Sequence, residues 1–229
     1  MKFLQESLTT FVIVFATLFP VINPLGGAPI FLNLADGCSQ DIKDKLAKSI
    51  SINSFLLLLG AMVIGPSLLL FFGISLPILK IGGGIVVAAM GWNLLNEGGK
   101  SSADSKNQIG ITDATASSSA FYPLTLPLTV GPGSIATVIA LVADQKKTAS
   151  FHIESELSAI AGAILGIIAV TFTIYIAYRE ASGIQRVFGV NGTNVLMRLF
   201  AFILFTIGLQ IIWGGVDALI LNTAKTLSS

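Results

Sequence analysis

Phe19-Pro20-Val21-Ile22-Asn23-Pro24-Leu25-Gly26-Gly27-Ala28-Pro29 is answered in the second half of the chain by Tyr122-Pro123-Leu124-Thr125-Leu126-Pro127-Leu128-Thr129-Val130-Gly131-Pro132. The three prolines coincide without a gap, and so do an aromatic residue and a leucine. Six of the eight prolines in the chain stand in these two stretches. Both lie inside windows, 7–35 and 114–143, that contain no Asp, Glu, Lys or Arg. Proline removes a backbone donor and clashes with the preceding helical turn. Pro20, Pro24 and Pro29 with Gly26 and Gly27 are therefore expected to interrupt one apolar helix. Pro123, Pro127 and Pro132 with Gly131 and Gly133 are expected to interrupt another.

Four further windows, 49–79, 81–96, 157–178 and 199–216, are equally free of charge, with Lys80 alone between the first two. A helix needs roughly 20 apolar residues to cross a bilayer core. The windows, with apolar flanks around Lys80 and Arg198, predict six membrane helices near 7–35, 49–72, 76–96, 119–143, 157–178 and 195–221. Composition agrees: the chain is 229 residues long, 53% hydrophobic and 11% charged, against about 25% charged in soluble domains. Runs such as Phe55 to Leu59 do not alternate in polarity, which argues against a membrane barrel. Lys2 and the apolar run after it resemble a signal peptide, but Asn23-Pro24-Leu25-Gly26-Gly27 follows in place of a small-residue cleavage site. Net charge is +1, with no basic face for nucleic acid. The single cysteine, Cys38, excludes an intramolecular disulfide and a multi-cysteine metal site.

The segment 97–119 is polar, serine-rich and without apolar periodicity, and reads as a flexible linker. It divides the chain into a first three-helix repeat, 1–96, and a second, 120–229. Phe72-Gly73-Ile74 before Lys80 and helix three also matches Phe188-Gly189-Val190 before Arg198 and helix six, with a two-residue gap. An odd number of helices per repeat makes the second copy enter the membrane from the opposite side, so the halves are expected to be inverted. The fold class is thus all-α integral membrane, two inverted three-helix repeats with helices one and four broken mid-membrane. Loops one, three and five with Arg198 hold eight basic residues, and the other face holds five. The basic-side rule then places those loops in the cytoplasm and both termini outside.

In hydrocarbon an unpaired N–H or C=O costs several kcal/mol, so broken backbone survives only inside protein or beside a cavity. The two breaks are expected to face each other at the centre. Half-helix N-termini there favour an anionic group, and exposed carbonyls can hold an ammonium. A zwitterion satisfies both, and glycine admits close approach to the backbone. The nearby side chains are Asn23, Thr125, Thr129 and Ser134, with no ionisable group in either break, which suits a small neutral substrate.

The stretch from Asn23 to Pro29 and the stretch from Pro123 to Gly133 resemble the two signature segments of the MarC family. Gly82-Gly83-Gly84, Arg198-Leu199 and Gln210 resemble its further marks, and the likeness covers essentially the whole chain. The resemblance implies a prokaryotic inner-membrane transporter of small neutral amino acids such as glycine and alanine, with proton coupling; the residues themselves leave a proton and a sodium ion both open as coupling partner. It carries substrate-binding roles onto Asn23, Pro24, Leu25, Gly26 and Gly27, and onto Thr129, Gly131, Pro132 and Gly133; Ser134 joins them as the adjoining hydroxyl. One departure is Phe200-Ala201, where the family often has Met-Gly; it bears on how helix six packs or on a cavity that helix lines.

Asn93 and Gln210 are polar residues inside helices three and six, read as interhelical hydrogen bonds or as cavity lining. Lys80 and Arg198 are expected to snorkel to the interface, and to act as gate residues if they point inward. Gly162 and Gly166 predict close packing of helix five. His152, the only histidine, lies in a charged loop. That leaves no metal-hydrolase ligand set and no base for Ser134, so neither an enzyme nor a cofactor or metal site is expected. A passive channel, an exporter of another small solute and a structural membrane protein stay open. A pore usually shows rings of polar residues, and a structural role does not explain two proline-glycine breaks.

Overall fold

In the computed structural model, residues 2–97, 111–148 and 153–227 are described. His152 and residues 98–110, most of the expected linker, lie outside them. The described residues are helical throughout, with short turns between. The order is α1 (Lys2–Ile22), α2 (Pro24–Leu34), α3 (Gln40–Phe71), α4 (Leu76–Glu97), α5 (Ala116–Ser119), a wide-turned segment (Ala120–Thr129), α6 (Pro132–Thr148), α7 (Ile153–Arg179) and α8 (Ala181–Leu227). Five spans are long and apolar enough to cross a membrane, with α1 and α2 taken together as one; the bent pair formed by 116–129 and 132–143 makes a sixth.

The polarity of the assembly is that of a protein solvated by lipid. Leu70, Phe71 and Trp213 stand 83%, 81% and 62% exposed, an outer surface no monomeric soluble protein of this size tolerates. Inside, Leu18, Phe31, Ile50, Leu58, Leu124, Ile167 and Ile174 are fully buried in one cluster.

Association rests on small residues and a few polar ties, as expected where lipid supplies no hydrophobic drive between helices. The most extensive pairing is α4 along α8. A methyl group placed on Gly84 would lie 2.8 Å from the Gly208 carbonyl, and one on Gly208 would lie 2.6 Å from Ala88 Cα. Ala201 is fully buried, its carbonyl 2.9 Å from where a methyl on Gly91 would sit; the departure at 200–201 thus falls on this helix pair. The second pairing, α1 with α7, uses Gly162 and Gly166, where added methyls would press on Thr10 and Val14. The Ser7 hydroxyl donates to the Ser158 carbonyl at 2.9 Å, and the Ser158 hydroxyl donates to Glu6 Oε2 at 2.8 Å. Between α3 and α7, the Ser51 hydroxyl donates to the Thr171 carbonyl at 2.6 Å.

Several boundaries differ from the sequence reading. Helix α3 starts at Gln40 rather than 49, because its polar first turns extend past the apolar window. Helix α8 is one element of 47 residues from Ala181, rather than a helix starting at 195. Gly73 ends α3 with φ 66°, whereas Gly189 lies inside α8, so the Phe-Gly parallel does not extend to backbone conformation. Within 97–119, the residues from Ile111 onward are tied down. Ile111 is buried, its N–H donates to the Leu34 carbonyl at 2.9 Å, and the Cys38 thiol donates to its carbonyl at 3.3 Å. Asp113 accepts the Ser39 N–H at 3.0 Å.

Candidate functional site

The first interruption is narrower than the prolines and glycines suggested. Pro20 lies inside α1, Pro29 inside α2, and Gly26 and Gly27 are helical. Asn23 alone leaves the helix, with φ 50° and ψ 60°. The physical reason is that asparagine reaches the left-handed region at lower cost than other residues with a β-carbon, and proline is well tolerated as the first residue of the next helix. Asn23 then caps α2. Its Oδ1 accepts the Gly26 N–H at 3.1 Å, and its carbonyl accepts the Gly27 N–H at 2.9 Å. Since Pro24 has no N–H, Leu25 carries the one first-turn donor left over.

The second interruption is broad. Tyr122 and Leu126 have extended dihedrals within 120–129, Tyr122-Pro123 and Leu126-Pro127 are cis, and Val130 is extended before α6 starts at Pro132. The spans on either side bend by 67°. Its polar groups are satisfied internally, as buried groups must be. The Thr125 hydroxyl donates to the Ala120 carbonyl at 2.6 Å and the Thr129 hydroxyl approaches the Leu124 carbonyl at 2.7 Å. The Val130 N–H donates to the Thr125 carbonyl at 2.8 Å, and the Gly131 carbonyl accepts Ser134 N–H at 3.1 Å. Helices α2 and α6 thus both begin with proline, but at the second proline of the first motif and the third of the other.

Tyr178 joins the two interruptions. It is fully buried on α7, its hydroxyl is 2.9 Å from Thr129 Oγ1, and its ring stacks on Phe31 of α2 at 4.9 Å between centroids. A methyl on Gly27 would lie 2.6 Å from its hydroxyl oxygen, and one on Gly26 would collide with the Asn23 side chain. The close approaches these glycines permit are therefore to the protein's own side chains. Tyr178 was missed by the sequence reading because a tyrosine near the end of a membrane helix reads as part of the interfacial belt.

Beside this junction lies a cavity of about 210 Å³. Asn23, Gly26 and Gly27 line it from the first interruption, Asn93 and Met90 from α4, and Leu128 from the second interruption. It has room for a small solute. Its lining presents two amide side chains and no ionisable group. Of the remaining expected site residues, Thr129 and Ser134 are buried in the packing and Gly133 abuts Val87. Gly131 lies near Met90, and Pro24, Leu25 and Pro132 do not line the cavity. Gln210 lines a different cavity, together with Lys80, while Arg198 is exposed.

Residues 8–220 match the family model described as MarC family integral membrane protein. A UPF0056 membrane protein of Pyrococcus horikoshii is 32% identical over 212 residues, covering 92% of this chain and 96% of the relative. The UPF0056 membrane protein YvbG of Bacillus subtilis is 29% identical over 206 residues, covering 90% and 93%. The UPF0056 inner membrane protein MarC of Escherichia coli K12 is 30% identical over 203 residues, covering 87% and 90%. No solved structure matches.

Proposed function

The chain belongs to the MarC family of integral membrane proteins, and on that premise we propose that it is a secondary active transporter of small neutral amino acids of the glycine and alanine type. The observation that carries the reading is the 210 Å³ cavity at Asn23, Gly26, Gly27 and Asn93. Its volume suits a small solute, its neutral lining disfavours a net charge, and its amides offer both donors and acceptors.

Alternating access through two inverted halves is part of this proposal, and the packing pattern supports it. Under a two-fold exchange of halves, α1 against α7 maps onto the wide-turned segment against α3. Likewise α2 against α7 maps onto α6 against α3, and α4 against α6 maps onto α8 against α2. The pair α1 with α6 maps onto the wide-turned segment with α2, and the pairs α4 with α8 and α3 with α7 map onto themselves. Such symmetry about a central site is how inverted-repeat transporters exchange access. We place the protein in the inner membrane, in line with the name of the Escherichia coli relative, with both termini outside and transport coupled to a proton or sodium gradient.

The test is uptake of radiolabelled glycine and alanine into proteoliposomes under imposed pH or sodium gradients. Wild type is compared with Asn93→Leu, an exposed position whose change leaves the packing intact. Saturable, gradient-driven uptake that falls at least about tenfold in Asn93→Leu, the loss expected when a hydrogen bond to a charged group disappears, supports the reading. Uptake of neither amino acid, or uptake that rises linearly with concentration, refutes it in favour of another solute or a passive pore.

A further inference from the structure

A second cavity, of about 190 Å³, shares α1, α4 and α8 with the first and adds α6. Thr17, Lys80, Thr137, Ala140, Gln210 and Ile211 line it. Its order along the helices matches that of the first cavity. Thr17 on α1 lines the second cavity, Asn23 just past its end lines the first, and Val21 comes between. On α4 the sequence is Lys80, Val87, Asn93; on α8 it is Gln210, then Leu204. Val21, Val87 and Leu204, 5%, 1% and 2% exposed, form one apolar cluster. Val21 and Leu204 also line the first cavity, so the cluster is its floor. At 1.5 Å per residue, Lys80 and Asn93 are about 20 Å apart along α4, most of the ~30 Å depth of a bilayer core.

The chemistry of the two cavities differs. Lys80 is the only charged residue in 49–96 and, among the described residues, the one charge that lines this cavity. The Thr17 hydroxyl donates to the Ile13 carbonyl at 2.7 Å and the Thr137 hydroxyl to the Gly133 carbonyl at 2.7 Å. With their protons committed, both oxygens can only accept. A cationic donor beside hydroxyl acceptors suits a carboxylate and an ammonium held on one small molecule.

We propose that the Lys80 cavity is a second subsite on the solute path, holding a small zwitterion by its carboxylate, and that Val21, Val87 and Leu204 close the path between the two subsites. The zwitterion rests on the transport reading above; the carboxylate site and the closure do not.

The experiment is labelling of engineered cysteines in the full-length protein with Cys38→Ser, reconstituted in phosphatidylcholine vesicles. Ala140→Cys reports on the second cavity and Leu94→Cys on the first. A membrane-impermeant methanethiosulfonate reagent is expected to reach them from opposite faces. Glycine and acetate are expected to slow Ala140→Cys labelling at least about tenfold, and methylammonium to leave it unchanged. Lys80→Gln removes the protection and Lys80→Arg keeps it, with an unaltered Leu94→Cys rate showing that each variant is folded. Val21→Ala with Val87→Ala is expected to make Ala140→Cys reachable from both faces. An unlabelled Ala140→Cys, protection that survives Lys80→Gln, protection that responds to anionic lipid in place of acetate, or unchanged sidedness in the double variant each overturns the proposal. Acetate protection without any glycine uptake leaves the carboxylate subsite standing and refutes the amino-acid reading alone.

Discussion

Asn23 does two jobs that substitution can separate. It holds a left-handed backbone at φ 50°, and its side chain caps Gly26 and lines the cavity. In Asn23→Ala the lost cap costs about 1 kcal/mol, and forcing alanine into the left-handed region costs about 1–2 kcal/mol. The total, about 2–3 kcal/mol, corresponds to a fall of ~4–12 °C in the unfolding midpoint for a chain of this size. Asn23→Gly also loses the side-chain cap, but glycine caps nearly as well and takes positive φ freely, so the net change is a few tenths of a kcal/mol. Thermal unfolding of the purified protein in detergent, followed by tryptophan emission, is the assay. The expected order is wild type close to Asn23→Gly, with Asn23→Ala well below. Uptake should nonetheless fall in Asn23→Gly, because the amide has left the cavity. Equal midpoints for the alanine and glycine variants would show that backbone conformation at residue 23 contributes nothing, and the reasoning fails.

Gly27→Ala places a methyl 2.6 Å from the Tyr178 hydroxyl oxygen and is expected to cost about 1–3 kcal/mol by overpacking. Tyr178→Phe, which removes that oxygen, should recover part of the loss in a double-mutant cycle of unfolding midpoints. Ser54 is fully buried and its hydroxyl has no hydrogen-bond partner among the described residues; Ser54→Ala is expected to raise stability by roughly 1 kcal/mol, read as a higher midpoint. The Cys38 thiol is pushed above its ordinary range by burial first and by the nearby Asp113 second, with Lys43 opposing. Folded protein should therefore react with maleimide far more slowly than unfolded protein at mildly alkaline pH. Because the folded state holds the proton more tightly, this group's stabilising contribution is complete below the unfolded thiol value and is lost as pH rises through the folded one. Midpoints of wild type and Cys38→Ala compared across that range check the sign.

Much of the architecture was legible without coordinates, because lipid imposes a one-dimensional rule. A span must be long, apolar and uncharged, and such windows are visible by inspection. The boundaries that escaped are those where the rule is silent: α3 begins in a polar turn at Gln40, and α8 runs on through Phe188-Gly189-Val190. The location of the two interruptions was legible in the same way, since prolines and glycines inside apolar windows announce irregular backbone. Which residue leaves the helix was not. Three prolines and two glycines pointed to a wide gap, yet Asn23 alone makes it, because neighbouring helices tolerate Pro20 and Pro29.

What the sequence by itself determined is therefore the solvent, the number of apolar windows and the two places where the backbone becomes irregular, since each follows from local composition and covalent geometry. Tertiary structure decided what those places are used for. Packing brought Tyr178 from α7 between the two interruptions, consumed the freedom of Gly26 and Gly27, and sent Asn93 and Gln210 into separate cavities with Val21, Val87 and Leu204 between them. Those outcomes depend on which helix faces meet, a property of pairs of distant residues that no single stretch of chain encodes.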